Sequence, residues 1–344
     1  MGFCVNDVLP KFSYFIKFNI YFTKWMFSIP LRQTKRSRHF LLALVLIANQ
    51  KKAGIDMPQK LAMIVIHGLG KQHEDFADTF IEEMHRTFSA VSGEKKPGQR
   101  IVIKPVYWAS VFANREEKLM KTLVGPPYNL RYRELREFMI HYLADAVAYQ
   151  PLDGGDDNYE AIHKTISTQL NILSAEAGPD APLCVISHSL GTVIASNFFY
   201  DLQYGHRKPP VLNPDSALER GDTLSLFYSC GTTLPLWGLR FPQLDKPIQV
   251  PSKGFSAQHP QVPGEWINFY DKDDVLAYPL KSIHPAYDKV VTEDRDVNVG
   301  TLIKSWTPLC HNGYLKSSSV ITPIAEGLDK LWKQINVKAL QPQG

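Results

Sequence analysis

A serine hydroxyl barely ionises at neutral pH, so serine chemistry needs a backbone that presents the hydroxyl and a base within reach of it. Ser187-His188-Ser189-Leu190-Gly191 offers the first condition. The apolar run ending at Ser187 reads as a strand and Thr192 to about Gln203 as a helix, which puts Ser189 on the turn between them. A serine on such a strand-to-helix turn is a nucleophile elbow, whose cramped backbone demands small neighbours. Gly191 meets that demand, and Ser187 is a small substitute where a first glycine is usual. A second cluster, His67-Gly68-Leu69-Gly70, closes another apolar run. Glycines there let backbone amides turn toward a ligand. The N–H of Leu69 and that of Leu190, at the positive end of its helix, are the candidate oxyanion-hole donors. His67 itself reads as a packed histidine that shapes its loop.

The order and context of these segments resemble the α/β-hydrolase family, in its lipase/esterase-like branch, over about Leu61 to Ile335. The resemblance implies an α/β fold, a mostly parallel sheet flanked by helices, and a Ser…Asp…His chain order. Trp266 to Leu280 has the form of the family's acid loop, a strand ending in acids followed by a hydrophobe and a proline. Asp274, just before Val275, matches best, and Asp271 is the alternative acid. Cys310-His311-Asn312-Gly313-Tyr314 resembles the late histidine loop, which makes His311 the base. His284 and His259, each followed by proline, read as surface histidines, and His259 also precedes the acid loop. His188 reads as structural, pointing the other way around the elbow. Cys310 and His311 do not read as a reactive pair, because adjacent residues on one loop rarely face each other. In the implied chemistry the imidazole takes the serine proton and returns it to the leaving group, while the carboxylate fixes the imidazole tautomer.

The activity so implied is cleavage of a small-molecule or lipid-like ester by a serine hydrolase, through an acyl-enzyme and with no metal or organic cofactor. A dehalogenase-type chemistry would need Asp at the elbow, where Ser189 stands. Thioesterase, amidase and acyltransferase reactions use the same three residues. A non-catalytic binding scaffold on the same fold is the reading from outside enzymology.

The elements that must position these residues follow from periodicity. Leu61-Ala-Met-Ile-Val-Ile66 is a nearly continuous apolar run, as a strand buried on both faces of a parallel sheet requires. Further strands are expected at Ile101–Trp108, Leu183–Ser187, Thr223–Ser229, Trp266–Tyr270 and Lys289–Thr292. Helices are expected from about Glu74 to Ala90, through Tyr159, Ile162, Ile166 and Leu170, and from about Ser319 to Ile335. Leu135, Phe138, Met139, Tyr142, Leu143, Ala146 and Val147 mark one more helix face. A simple crossover needs only one helix, so Val111 to about Gln150 reads as an inserted helical cap. With the loop Thr232–Gly264 it is expected to roof the pocket, its apolar content favouring an acyl group over a sugar or phosphate. Cys184 and Cys230 fall at or near strands and read as core packing.

Composition bounds the rest. The chain has 344 residues, 44% hydrophobic and 21% charged, with a net charge of +4, which excludes bulk disorder. Four cysteines with no C-x-x-C pair exclude a disulfide framework and argue against cysteine-ligated zinc. Residues 1–56 hold nine Lys/Arg against Asp7 and Asp56, a net +7, which leaves 57–344 at −3. That mildly acidic body has no basic stripe for nucleic acid. Residues 1–56 mix aromatics with lysines, then give a basic cluster and the apolar stretch Phe40–Ala48, too short to span a membrane. They read as a loose extension or misassigned start before a hydrolase-type domain at 57–344. The other readings are a peripheral membrane anchor and an export signal, against a cytoplasmic body. Nothing in the sequence specifies an oligomeric state.

Overall fold

The computed structural model describes residues 58–337, apart from 69–72, 125, 129, 134–135, 137–139, 141–145, 151–157, 240–244 and 301–309. Its centre is one all-parallel sheet of six strands: β1 Leu61–Ile66, β2 Ile101–Val106, β3 Leu183–His188, β4 Leu224–Cys230, β5 Glu265–Tyr270 and β6 Glu293–Asp296. They lie in the order β2-β1-β3-β4-β5-β6. Flanked by helices on both faces, this is an α/β architecture.

The apolar run at β1 explains the layering. All six of its residues are fully buried, and they alternate between two cores. Ala62, Ile64 and Ile66 pack under the helices α3 (Asn158–Ala177) and α4 (Leu190–Tyr204); Leu61, Met63 and Val65 pack under α1 (Asp78–Ser92) and α8 (Ser318–Ile335). Each of the buried Leu, Met, Ile and Val side chains contributes about 1.5–3 kcal/mol of burial energy. The helix α1 presents Phe80, Met84 and Phe88 to its core at four-residue spacing and ends at Gly93. There a φ of 72° lets the glycine N–H donate to Ser89 O.

Shorter helices occupy the connections: α2 Ala113–Val124, α5 Leu234–Gly238, α6 Lys253–Gln258 and α7 Pro285–Val290. Strand order reverses between β1 and β3, since β1 is followed by β2 on one side and flanked by β3 on the other. Such a switch point opens a crevice beyond the carboxyl ends of the two strands, where ligands bind in open α/β sheets.

Three expectations change. The strand expected at Lys289–Thr292 is instead the end of α7 and the lead-in to β6. Pro285 suits the first helical turn, and His284 Nδ1 caps it by accepting the Ala286 N–H at 3.1 Å. The true edge strand reads Glu-Asp-Arg-Asp, a charged edge that an apolar search passes over. Second, α1 starts at Asp78 rather than Glu74, because residues 74–77 form turns closed by Phe76 N–H to His73 O and Asp78 N–H to Asp75 O. Third, the helix after Ser189 begins at Leu190, two residues earlier than expected.

Within the expected insert, α2 is present, but Leu135, Phe138, Met139, Tyr142 and Leu143 lie outside the described residues, as do residues 1–56. No helix among the described residues is long and apolar enough to cross a membrane.

Candidate active site

Ser189 sits between β3 and α4 with φ 54° and ψ −127°, a left-handed conformation costly for a residue with a side chain. The surroundings over-determine it. Its N–H donates to Cys230 O at 2.9 Å and its carbonyl accepts the Thr192 N–H at 3.0 Å. The glycines around it are required by close approach: a Cβ on Gly191 would stand 2.3 Å from His67 O, and one on Gly68 would stand 2.6 Å from Ser189 Cβ. Ser187 is small enough for its place and completely buried, its Oγ donating to Tyr228 O at 3.3 Å. Leu190 opens α4, so its N–H belongs to the helix's first turn, where amides lack intrahelical acceptors and the dipole is positive. The other expected donor, Leu69, lies outside the described residues.

The expected acid and the expected base meet. His311, in a short turn at Cys310–Asn312, donates from Nδ1 to Asp274 Oδ2 at 2.7 Å, both side chains being buried. Tyr314 also donates its hydroxyl to Asp274 Oδ2 at 2.9 Å, and the Leu276 N–H donates to Oδ1 at 3.0 Å. Burial pushes the Asp274 carboxyl up, but the hydrogen bond and charge of His311, with the Leu276 and Tyr314 bonds, outweigh it and hold the group below its ordinary range. A carboxylate on Nδ1–H leaves Nε2 as the acceptor nitrogen. His311 Nε2 and Ser189 Oγ are both buried without a hydrogen-bond partner among the described residues.

Two contacts bring the elbow and the histidine loop together. His188 Nε2–H donates to the His311 carbonyl at 2.6 Å, with the two rings 4.7 Å apart. This corrects the expected orientation: the His188 ring turns toward the histidine loop, not away from it. Between the two lies Gly231, at φ 57°, where a Cβ would stand 3.2 Å from His311 Cε1 and 2.7 Å from Tyr314 Cε2. Gly231 directly follows Cys230, whose carbonyl holds the Ser189 N–H.

Asp271 has another task. Its Oδ1 accepts the Asp273 N–H at 3.0 Å, its Oδ2 accepts the Val299 N–H at 2.8 Å, and its own N–H donates to Tyr314 Oη at 2.9 Å. It braces the loop that carries Asp274. His67 is the packed histidine expected: it stacks on Trp108 at 4.7 Å, donates from Nδ1 to Gly68 O and accepts the Trp108 N–H at Nε2. Burial pulls its imidazole down to about 4 against the Gly68 bond, and it stays neutral. His259 lies against Phe255, away from these groups, and Cys184 and Cys230 are buried in strands. Cys310 is buried, and burial with the nearby carboxylates raises its thiol to about 11.

Sequence reasoning missed Tyr314 and the contact of His188; both act through partners distant in the chain, and neither residue type announces the role. It also missed a cavity of about 270 Å³ along the flank of α4, lined by Val193, Tyr200, Leu234 and Trp237 among others, with Asp201 and Tyr159 at its polar end. Tyr159 donates its hydroxyl to Asp201 Oδ2 there at 2.7 Å. Val193 follows Ser189 by one helical turn, and Leu234 and Trp237 come from the loop expected to roof the pocket. Among the described residues no group of three or more His, Cys, Asp or Glu side chains is placed to hold a metal ion. Compared with models of protein families and with curated proteins, the chain matches none.

Proposed function

We propose that the protein is a serine hydrolase of carboxylic esters, built as an α/β-hydrolase-type sheet with a helical insert over about 111–150. One observation carries the reading. A buried imidazole, oriented by a buried carboxylate, keeps an acceptor nitrogen beside an elbow with a strained serine, and neither that nitrogen nor the serine hydroxyl has a partner among the described residues.

In this mechanism Ser189 Oγ attacks the ester carbonyl carbon as its proton passes to His311 Nε2. Asp274 remains ionised and steadies the imidazolium, as its hydrogen bonds already favour. The Leu190 N–H receives the developing oxyanion, with Leu69 as the expected second donor; one such donor supplies about 3–4 kcal/mol of transition-state stabilisation. Collapse expels the alkoxide, which takes the proton from His311 and leaves an acyl-Ser189 ester. Water, deprotonated by His311, then attacks that ester, and the carboxylic acid and free serine are restored. Burial of Ser189 and His311 strengthens each of these electrostatic contacts relative to water. The cavity along α4 is the place for the part of the substrate remote from the reacting carbonyl.

The test is turnover of short-chain p-nitrophenyl esters together with labelling by a fluorophosphonate probe. Wild type is expected to do both, and Ser189→Ala to lose the label and at least about 10⁴-fold in turnover. Retained activity or labelling in the variant rejects the assignment. A wild type that neither labels nor turns over leaves the binding-scaffold reading in its place.

A further inference from the structure

Tyr314 is completely buried, and its hydroxyl bonds to a segment distant in sequence, the turn Asp271–Asp274. That turn is closed by the Asp274 N–H, which donates to Asp271 O at 3.1 Å. The Asp271 N–H donates to Tyr314 Oη at 2.9 Å, and Tyr314 Oη donates to Asp274 Oδ2 at 2.9 Å. An amide can only donate, so its bond uses a lone pair of the phenol oxygen and leaves the single phenol hydrogen for the carboxylate. One oxygen therefore fixes the first and the last residue of the turn. Burial and the charge of Asp274 push the phenol well above its ordinary value, against the Asp271 bond, so it keeps the hydrogen that it donates.

The ring is held as closely as the hydroxyl. Gly231, at φ 57°, makes its room: a Cβ there would stand 2.7 Å from Tyr314 Cε2. The ring lies 5.8 Å from that of His188 and 6.3 Å from that of His311, edge-on to the latter at 82°. Tyr314 thus meets the acid turn, the residue that follows β4, and the two histidines that tie the elbow to the histidine turn. The carboxylate oxygen it bonds is the one that matters. Asp274 Oδ2 also receives His311 Nδ1–H at 2.7 Å, while Oδ1 receives the Leu276 N–H at 3.0 Å. Two donors on one oxygen set its direction and share its charge. Without the phenol the carboxylate is freer to turn, and the charge of Oδ2 falls on the imidazole alone.

We propose that Tyr314 is the positioning residue of the Asp274–His311 pair: its hydroxyl aims Oδ2 at His311 Nδ1 and takes up part of the carboxylate charge. It acts through Asp274 and not on the reacting atoms. The kinetic consequences rest on the hydrolase reading; the effect on the Asp274–His311 hydrogen bond does not.

Tyr314→Phe, which removes one oxygen and keeps the ring, tests it in the full chain. In ester turnover kcat should fall about tenfold through the loosened carboxylate, with KM unchanged. The acid limb of kcat/KM, a property of the pair, should move up by about one pH unit, the worth of one hydrogen bond to a charged group. Both parts of the loss have that sign. Asp274 loses a donor that favours its ionised form, and the imidazolium is held by a more basic oxygen. The other ionisable groups around the pair are His188 on the elbow, Cys310 on the histidine turn, and Asp271 and Asp273 on the acid turn; the substitution leaves all four in place. A role in packing alone would lower activity equally at every pH. Proton NMR adds a readout that needs no activity. The downfield resonance of His311 Nδ1–H, identified by its loss in His311→Gln, should shift further downfield in Tyr314→Phe as Oδ2 passes wholly to the imidazole. The proposal is overturned if wild type lacks that resonance, if the resonance or the acid limb stays in place in Tyr314→Phe, or if that variant does not fold, since the oxygen then serves the fold and not the pair. A wild type without esterase activity sinks the hydrolase reading instead, and the resonance alone then decides this one.

Discussion

Acidification is a perturbation whose magnitude follows from two buried imidazoles. Burial pulls His67 down to about 4 against its bond to Gly68, and pulls His188 down to about 3 with the charge of His311 acting in the same direction. In the unfolded chain both return to 6.5. Between those values the unfolded state holds more protons than the folded one, so stability rises with pH through the window. The contribution is fully present above about pH 6.5 and lost as pH falls toward 4 and 3.

Each group gives about 1.4 kcal/mol per pH unit, so a step from pH 7 to pH 5 costs about 2 kcal/mol per histidine and about 4 kcal/mol for the two. His85 and His259, lowered by burial, add in the same sense. His163, pulled down to about 3 by burial and Arg207, adds in the same sense, while Asp201, 3.8 Å away and pushed up by burial, titrates with the opposite sign. A loss of about 4 kcal/mol is a large part of the 5–15 kcal/mol typical of a folded domain.

Urea unfolding followed by tryptophan fluorescence at pH 7, 6 and 5, with the slope m constant, measures it. His188→Gln, whose amide nitrogen reaches about as far as Nε2, keeps a donor for the His311 carbonyl but removes the titrating ring, so the fall should shrink by about 2 kcal/mol. A wild-type difference under about 1 kcal/mol, or an unchanged slope in the variant, would refute the reasoning.

Two further predictions separate roles within the site. Asp274→Asn should cut ester turnover about 10⁴-fold, by releasing the His311 tautomer. Asp271→Asn should cost about 1–2 kcal/mol in urea through its lost loop bonds and keep turnover within about tenfold; equal losses in the two would sink the distinction. Gly68→Ala puts a Cβ 2.6 Å from Ser189 Cβ and should cost about 1–3 kcal/mol and roughly 10²-fold in kcat. Gly98→Ala, where a Cβ meets nothing within 4 Å, is the control and should change neither.

What could be read in advance was whatever local pattern dictates. The runs at β1 and, up to Ile186, at β3 are apolar because both of their faces are covered, and Gly191 is needed where α4 meets the His67 carbonyl. Asp274 stood out by its place just past a strand end. The edge strand β6 was hidden because charge, not apolar burial, is what an edge needs, and α7 because a proline and a capping histidine decide it over six residues. The links of His188 to the His311 carbonyl and of Tyr314 to Asp274 join residues far apart in sequence, so no local window contains them.

The tether between His188 and the His311 carbonyl has a consequence for biosynthesis. Ser189, Asp274 and His311 come from successive stretches of the polypeptide, and the last is seated just ahead of α8, which itself packs into the core. On the ribosome, β1 and β3 can pair and the elbow can form while the imidazole is still unmade. Under the proposed chemistry the serine is therefore an inert alcohol throughout early translation. On that reading it gains its base only once the turn at Cys310–Asn312 has been made and seated against the elbow.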